Sequence, residues 1–367
     1  MTPNGLRAGR PELQERFAQV LARWQKEHGR NALPWQNTRD PYRVWLSEIM
    51  LQQTQVTTVL DYYAKFLQRF PAVSDLAAAQ SDEVMALWSG LGYYSRARNM
   101  HRCAQQVMAL HGGQFPSHAA QLQTLPGIGP STAAAIASFC FAERVAILDG
   151  NVKRVLTRVL AFSGDLAQGA QVRQLLGIAN CLLPKHDLTE TMPRYTQGLM
   201  DLGATVCTLR KPQCTACPVQ DMCQGFADGE PKKYPVKTRK LKRSAQTVAL
   251  LWAQRPDGSV WLERRPASGI WGGLYCLPAF ESQDALEAFV PKHLYLSMAF
   301  VTPFKHVLTH KDLHLHPVRV DFSAADEMPL TATETSPTSV GAWYAPDAWP
   351  AMGLPAPIRK LFHNAAA

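Results

Sequence analysis

Leu125-Pro126-Gly127-Ile128-Gly129-Pro130-Ser131-Thr132-Ala133 places two glycines around one aliphatic residue, after Leu-Pro and before an alanine-rich stretch. The pattern predicts a tight turn between two helices. The run Ala133-Ala134-Ala135 lets those helices pack closely. The helix that follows the turn starts with unbonded backbone N–H groups, and its dipole favours an anion there. Gly127 and Gly129 are therefore candidate backbone sites for a phosphate. A Gly-x-Gly alone is weak evidence, because a plain helical turn has the same composition. In this setting it reads as a helix–hairpin–helix of the DNA-binding kind.

Working outward, the pattern from Gln14 to Leu202 is helical, with apolar residues three and four apart and short Pro- or Gly-marked breaks. Asp40-Pro41 predicts a capped helix start, with Val44, Trp45, Ile49 and Val56 among its apolar positions. A second helix is expected after Pro116 with Ser117 as its cap, and a third after Asp149. Between Lys232 and Arg243 there are seven Lys or Arg and no acid, with Pro231 and Pro235 nearby. This composition predicts an exposed, extended linker. Beyond it the period changes. Thr247–Trp252 and Val260–Glu263 read as strands joined by a turn at Pro256-Asp257-Gly258. A helix follows over about 283–290, then a strand over 313–322 whose register Pro317 should disturb. The expected architecture is a mainly α region over 1–230, a basic linker over 231–244 and an α/β domain over 245–367.

The chain has 367 residues, 46% of them hydrophobic, and a formal charge of +9. That length implies more than one core. The charge suits a polyanionic partner, and equally a merely basic enzyme. The first thirty residues lack an apolar signal core, and the longest small-apolar run stops at Glu143-Arg144. The expectation is a bacterial cytoplasmic protein without a membrane span. Eight cysteines in that compartment do not predict a disulfide framework. Cys103, Cys140, Cys181 and Cys276 stand apart and read as buried small hydrophobes.

The other four form Cys207-x6-Cys214-x2-Cys217-x5-Cys223. Four thiols in one short loop with two prolines predict a metal centre, either zinc or a [4Fe–4S] cluster. Zinc ribbons use two CxxC knuckles with a longer spacer. One CxxC flanked by unequal single cysteines favours the larger cluster. His306, His310, His314 and His316 lack a supporting cysteine or carboxylate pattern and read as surface residues.

Two acids stand out. Glu48 interrupts the apolar run Val44-Trp45-Leu46-Ser47-Glu48-Ile49-Met50-Leu51, and desolvation there would raise its pKa and retain a proton for general acid work. Polar Gln52-Gln53-Thr54-Gln55 beside it is unusual for a core helix and points to a ligand. Asp149, in Leu148-Asp149-Gly150-Asn151-Val152-Lys153-Arg154, suits a helix cap. A helix start favours its charged form, which suits a cationic sugar. Gly90-Leu91-Gly92-Tyr93-Tyr94-Ser95-Arg96-Ala97-Arg98 combines aromatics, glycines and cations. Tyr93 is expected to wedge into a base stack, with Arg96 or Arg98 on phosphate.

Taken in order, these pieces resemble the helix–hairpin–helix glycosylases and, more narrowly, the adenine DNA glycosylase (MutY) family. The resemblance rests on Leu33-Pro34-Trp35, on Trp45–Thr54, on Gly90-Leu91-Gly92-Tyr93-Tyr94, on Leu148–Val152 and on the cysteine loop. It implies excision of adenine opposite 8-oxoguanine or guanine from double-stranded DNA by a monomer. In that scheme Glu48 protonates N7 of the flipped adenine, and Asp149 stabilises or traps the sugar cation. Asn151 and Ser131 orient groups, Gln53 and Tyr93 fill the gap in the stack, and Lys153 lies near Asp149 without an activated amine. Endonuclease III-like relatives carry a lysine nucleophile where Ser131 stands, so a monofunctional enzyme is expected. Gly272-Gly273-Leu274-Tyr275-Cys276-Leu277-Pro278 resembles a Nudix turn, but Glu281 and Glu287 are too few for magnesium. The resemblance implies a lesion-recognition domain in which Leu308-Thr309-His310 stands for a Phe-Ser-His loop, keeping Thr309 and His310 as DNA contacts. Two alternatives are a bifunctional pyrimidine glycosylase/lyase and a non-catalytic DNA-binding iron–sulfur protein.

Overall fold

The computed structural model describes residues 11–238, 243–329 and 341–366. Contacts divide the chain into two units. One comprises Met1–Val59, Ala72–Ser74 and Arg102–Lys240, and the other Leu60–Pro71, Asp75–His101 and Leu241–Ala367. Among the described residues no helix is long and apolar enough to cross a membrane.

The first unit is helical. Asp40 caps the helix Pro41–Met50, its carboxylate accepting the Tyr42 N–H at 2.9 Å with Pro41 in the first turn. Val44, Trp45 and Ile49 of that helix are buried. The turn opens onto the helix Pro130–Phe141, whose Ala133, Ala134 and Ala135 are also buried. Only Gly127 of the two turn glycines needs its lack of a side chain for conformation, at φ +78°. Gly129 has φ −82°, and a Cβ added there would meet nothing within 4 Å.

The expected Ser117 cap is not formed. The helix before the turn is only Ala119–Leu122, with His118 at the cap position and no side-chain bond from it. Glu143, from beyond the hairpin, accepts the Ala119 N–H at 2.7 Å instead. The core of this unit joins Phe17 and Leu21 to Val152, Val155, Leu156 and Leu202. The last belongs to the helix Leu188–Thr205, which Gly203 brings against the helix Gly150–Val159.

In the second unit the helix Ser81–Leu87 accompanies a mixed sheet. Its strands are β1 Ser244–Gln254, β2 Val260–Arg264, β3 Tyr275–Cys276, β4 Ala279–Phe280, β5 Ala299–Phe300, β6 Phe304–Val307, β7 Lys311–Asp321 and β8 Gly341–Tyr344. The path runs β3-β2-β1-β7-β5, with β1 and β7 parallel and the other pairs antiparallel. Leu250, Trp252, Leu313 and Leu315 face one core with Ile358 and Phe362. Ala249, Leu251, Val318 and Val320 face the other with Leu286 and Leu294. Both faces being covered explains the unbroken apolar run in β1.

Pro317 does not disturb the register: Leu250 pairs with it and the parallel ladder continues to Gln254 and Asp321. Its carbonyl accepts the Val301 N–H at 3.0 Å, so it still takes part in pairing without an N–H of its own. In the described part of the basic segment Lys232, Lys233, Lys237 and Arg243 are exposed, as expected, but the backbone is also tied down. Tyr234 is buried, its carbonyl accepts from Arg158 at 3.1 Å, and Leu166 N–H donates to Val236 at 3.0 Å. Residues 239–242, and the Thr/Ser-rich stretch 330–340, lie outside the described residues.

Candidate active site

Glu48 projects from the helix Pro41–Met50 into a cavity of about 160 Å³ within the first unit. Trp35, Gln36, Ser47, Arg194 and Gln197 also line it. Desolvation pushes the Glu48 carboxyl up to about 8, and the negative charge of Asp149 adds to the rise. The two acids, a hundred residues apart in sequence, are thus within electrostatic reach. Asp149 caps the helix Gly150–Val159 and accepts the Val152 N–H at 2.6 Å.

The helix start does favour ionised Asp149, as expected, but burial outweighs it and the net shift is upward. Burial raises its pKa more than the Val152 and Asn151 N–H bonds, Arg154 and Lys153 lower it. The two acids are still unlike. Asp149 has four groups favouring its charge, whereas the causes acting on Glu48 both favour the proton. Of the pair, Glu48 holds the proton more firmly.

Ser131 is the second residue of the hairpin helix and is half-buried. Beside it, Thr132 Oγ1 accepts from Gln52 Nε2 at 3.4 Å. Gln53 takes a left-handed φ of +57°, as Tyr93 in the second unit does at +48°. Such a conformation costs a non-glycine residue about 1–3 kcal/mol and is concentrated at functional sites. Asn151 accepts from Arg154 Nη2 at 2.8 Å, while Lys153 is half-buried on the same helix.

Arg154 and Arg158, four apart on the helix Gly150–Val159, share one helix face, a spacing legible in the sequence. Arg154 Nε donates to the Cys207 carbonyl at 2.8 Å. Buried Arg158 donates to the carbonyls of Thr208 and Leu209 at 2.8 and 3.1 Å and approaches Cys207 Sγ at 3.3 Å. The four thiols of Cys207, Cys214, Cys217 and Cys223 line one cavity with Val155, Leu202 and Val219. Burial pushes the Cys217 thiol up to about 12 and that of Cys223 to about 11. No three His, Cys, Asp or Glu among the described residues converge tightly enough to hold a single ion. Four thiols around a shared space, with a guanidinium donating to one of them, are the donor chemistry of a metal or iron–sulfur centre. His306, His310, His314 and His316 form no such group either. Of the four isolated cysteines, Cys103 and Cys276 are buried, Cys140 is half-buried and Cys181 is exposed, against expectation.

The second unit has its own cavity, of about 590 Å³, lined by Tyr93, Arg98, Trp271, Leu308, Thr309 and His310. The Tyr93 and Thr309 hydroxyls are in hydrogen-bond contact. Arg243 donates to the Thr309 carbonyl at 3.2 Å. Arg98 donates to the Gly272 carbonyl. Arg96 does not reach outward: it is buried and donates to the carbonyls of Leu91 and Gly92 at 3.1 and 3.2 Å. Its guanidinium also lies over the rings of Trp88 and Tyr93. It shapes the loop that carries Tyr93.

The family description "HhH-GPD superfamily base excision DNA repair protein" matches residues 46–179, and a NUDIX domain matches 248–364. An adenine DNA glycosylase from Buchnera aphidicola subsp. Acyrthosiphon pisum is 34% identical over 350 residues, covering 95% of this chain and 97% of that one. The chain belongs to the adenine DNA glycosylase family. The Mus musculus adenine DNA glycosylase is 43% identical over 219 residues, covering 57% of this chain and 42% of its own. A solved thermostable thymine-DNA glycosylase superposes with a TM-score of 0.51 at 26% identity, covering 59% of this chain and 97% of its own. Family membership makes this chain an enzyme of base-excision repair, with a helical glycosylase region followed by a Nudix-like domain.

Proposed function

We propose that this adenine DNA glycosylase removes adenine paired with 8-oxoguanine or guanine, by hydrolysis alone, using Glu48 as acid and Asp149 as the anion facing the sugar. The observation that carries this reading is the Glu48–Asp149 pair, in which one acid is pushed up to about 8 partly by the charge of the other. A stacked base is out of reach within a duplex, so adenine must be flipped into the Glu48 cavity. Glu48 gives its proton to N7. The C1′–N9 bond then breaks with its electron pair going to the base, and positive charge develops on the sugar. Asp149 stabilises that charge or bonds to C1′ transiently. Water finally supplies the C1′ hydroxyl, and its proton restores the acid. Ser131 has no amine with which to form a Schiff base, which supports a monofunctional reaction.

Asn151 and Ser131 serve as orienting groups. Gln53 and Tyr93, both in strained backbone conformations, support a role in filling the stack. The first N–H groups of the hairpin helix, reached through Gly127 and Gly129, together with Lys153 and Arg98, suit phosphate contacts. Thr309 and His310 border the second unit's cavity and suit the base opposite adenine. Cys207, Cys214, Cys217 and Cys223 would hold a [4Fe–4S] cluster, which supplies covalent ties across the loop that Arg154 and Arg158 brace. Residues 1–230 act as the glycosylase and 245–367 as the lesion reader, in a DNA-bound monomer of the bacterial cytoplasm.

Single-turnover excision from an adenine·8-oxoguanine duplex tests the mechanism. Glu48→Gln and Asp149→Asn are each expected to lower the rate about a hundredfold or more, with no competent borohydride-trapped adduct in the wild type. Wild-type rates in both variants would sink the assignment.

A further inference from the structure

The loop that carries Tyr93 holds a backbone shape that needs outside support. Gly90 has φ +107°, Gly92 +72° and Tyr93 +48°, so three residues of one short turn lie in the left-handed region. Such a turn persists only where its surroundings fix it. Its start is fixed at Ser89. The Ser89 carbonyl accepts from the Tyr62 hydroxyl at 2.7 Å, and Ser89 Oγ donates to the Leu354 carbonyl at 2.7 Å. Ser89 Oγ also accepts from Arg359 Nε at 3.1 Å, while Arg359 Nη2 donates to the Met352 carbonyl at 2.8 Å. One guanidinium thus ties Ser89 to the segment 352–354 with two donors of its rigid fork. Arg359 is set in turn by the helix Ala356–Ala366, whose Ile358, Leu361 and Phe362 are buried in one core of the sheet.

We propose that Arg359 is a positioning residue for DNA binding: acting through Ser89, it holds the base of the loop that presents Tyr93 to the duplex. This rests on the reading of Tyr93 as a residue that enters the base stack. A wedge binds more tightly when its loop is ordered beforehand, because less freedom is lost on binding. Arg96 braces the middle of the loop at the Leu91 and Gly92 carbonyls, and Arg359 adds the anchor at its start. The Tyr93 side chain stays 42% exposed, held but not covered. The last helix of the chain thereby contributes to affinity without itself having to meet DNA.

The test is fluorescence anisotropy with the full-length protein and a duplex carrying 2′-fluoro-adenosine, whose glycosidic bond resists cleavage, opposite 8-oxoguanine. Dissociation constants are compared for wild type, Tyr93→Ala, Arg359→Met, Arg359→Lys and Ser89→Ala, and for the last three combined with Tyr93→Ala. Arg359→Met and Ser89→Ala are each expected to weaken binding about fivefold alone, and by less than about twofold in the Tyr93→Ala background. Arg359→Lys keeps the charge but can make only one of the two bonds, so its loss should be smaller and equally dependent on Tyr93. Melting curves identify the folded variants; if Arg359→Met does not fold, Arg359→Lys and Ser89→Ala are read by the same rule. Wild-type affinity in folded Arg359→Met overturns the proposal. An equal loss with and without the Tyr93 side chain overturns it too, because it marks a merely structural or electrostatic effect. Tyr93→Ala that binds as tightly as wild type overturns the stack reading first and the Arg359 assignment with it.

Discussion

Glu48 shows how one buried acid links chemistry to stability. Its pKa is about 8 in the folded chain against an ordinary 4.5. Between those values the folded state binds more protons than the unfolded state. The stabilisation from this group is therefore complete below about pH 4.5 and is lost as pH rises through about 8. Glu48→Gln stays neutral throughout, so its melting temperature should gain on wild type from pH 5 to pH 8 and then level off. Thermal melts across that range check this; a constant difference would count against it. The same ionisation should make wild-type excision decline as pH rises through about 8. Asp149→Asn removes charge with a smaller structural effect, since Asn and Asp cap helices about equally.

At the scale of elements, the Asp149 helix depends on a close approach by the helix Leu188–Thr205. A Cβ placed on Gly203 would lie 2.7 Å from Asn151 Cβ and 3.1 Å from Asn151 backbone atoms. Backbone cannot yield as a flexible side chain can. Gly203→Ala should therefore cost about 1–3 kcal/mol, measured as a lower denaturation midpoint. It should also slow excision, because Asn151 sits two residues after Asp149. Unchanged stability would show that the helices separate freely. The periodic sequence made these helices legible, but the Ser117 cap was not, because Glu143 competes for the same N–H from outside the local segment.

For the whole molecule, a formal charge of +9 on a chain of the adenine DNA glycosylase family predicts DNA binding with a strong electrostatic part. Affinity for an adenine·8-oxoguanine duplex should fall steeply between about 50 and 200 mM salt, linearly in log–log form. Fluorescence anisotropy over a salt series measures it, and a flat response would exclude phosphate contacts as the main source of affinity. The unit boundaries also depart from chain order: residues 75–101, including the Tyr93 loop, cluster with 241–367. Sequential reading along the chain has no means of detecting such an exchange of partners.

By itself the sequence determined the element types, the cysteine loop, the two acids and the missing lysine at Ser131, because periodicity and residue chemistry are local properties. Tertiary structure decided what depends on neighbours from elsewhere in the chain. It put Asp149 within electrostatic reach of Glu48, turned Arg96 inward and tied the basic segment down through Arg158. Desolvation decided the state of both acids, and it is a sum over surroundings that no local stretch contains. The hairpin glycines illustrate the division: the motif placed a tight turn, and only the backbone showed that Gly127, not Gly129, needs a positive φ.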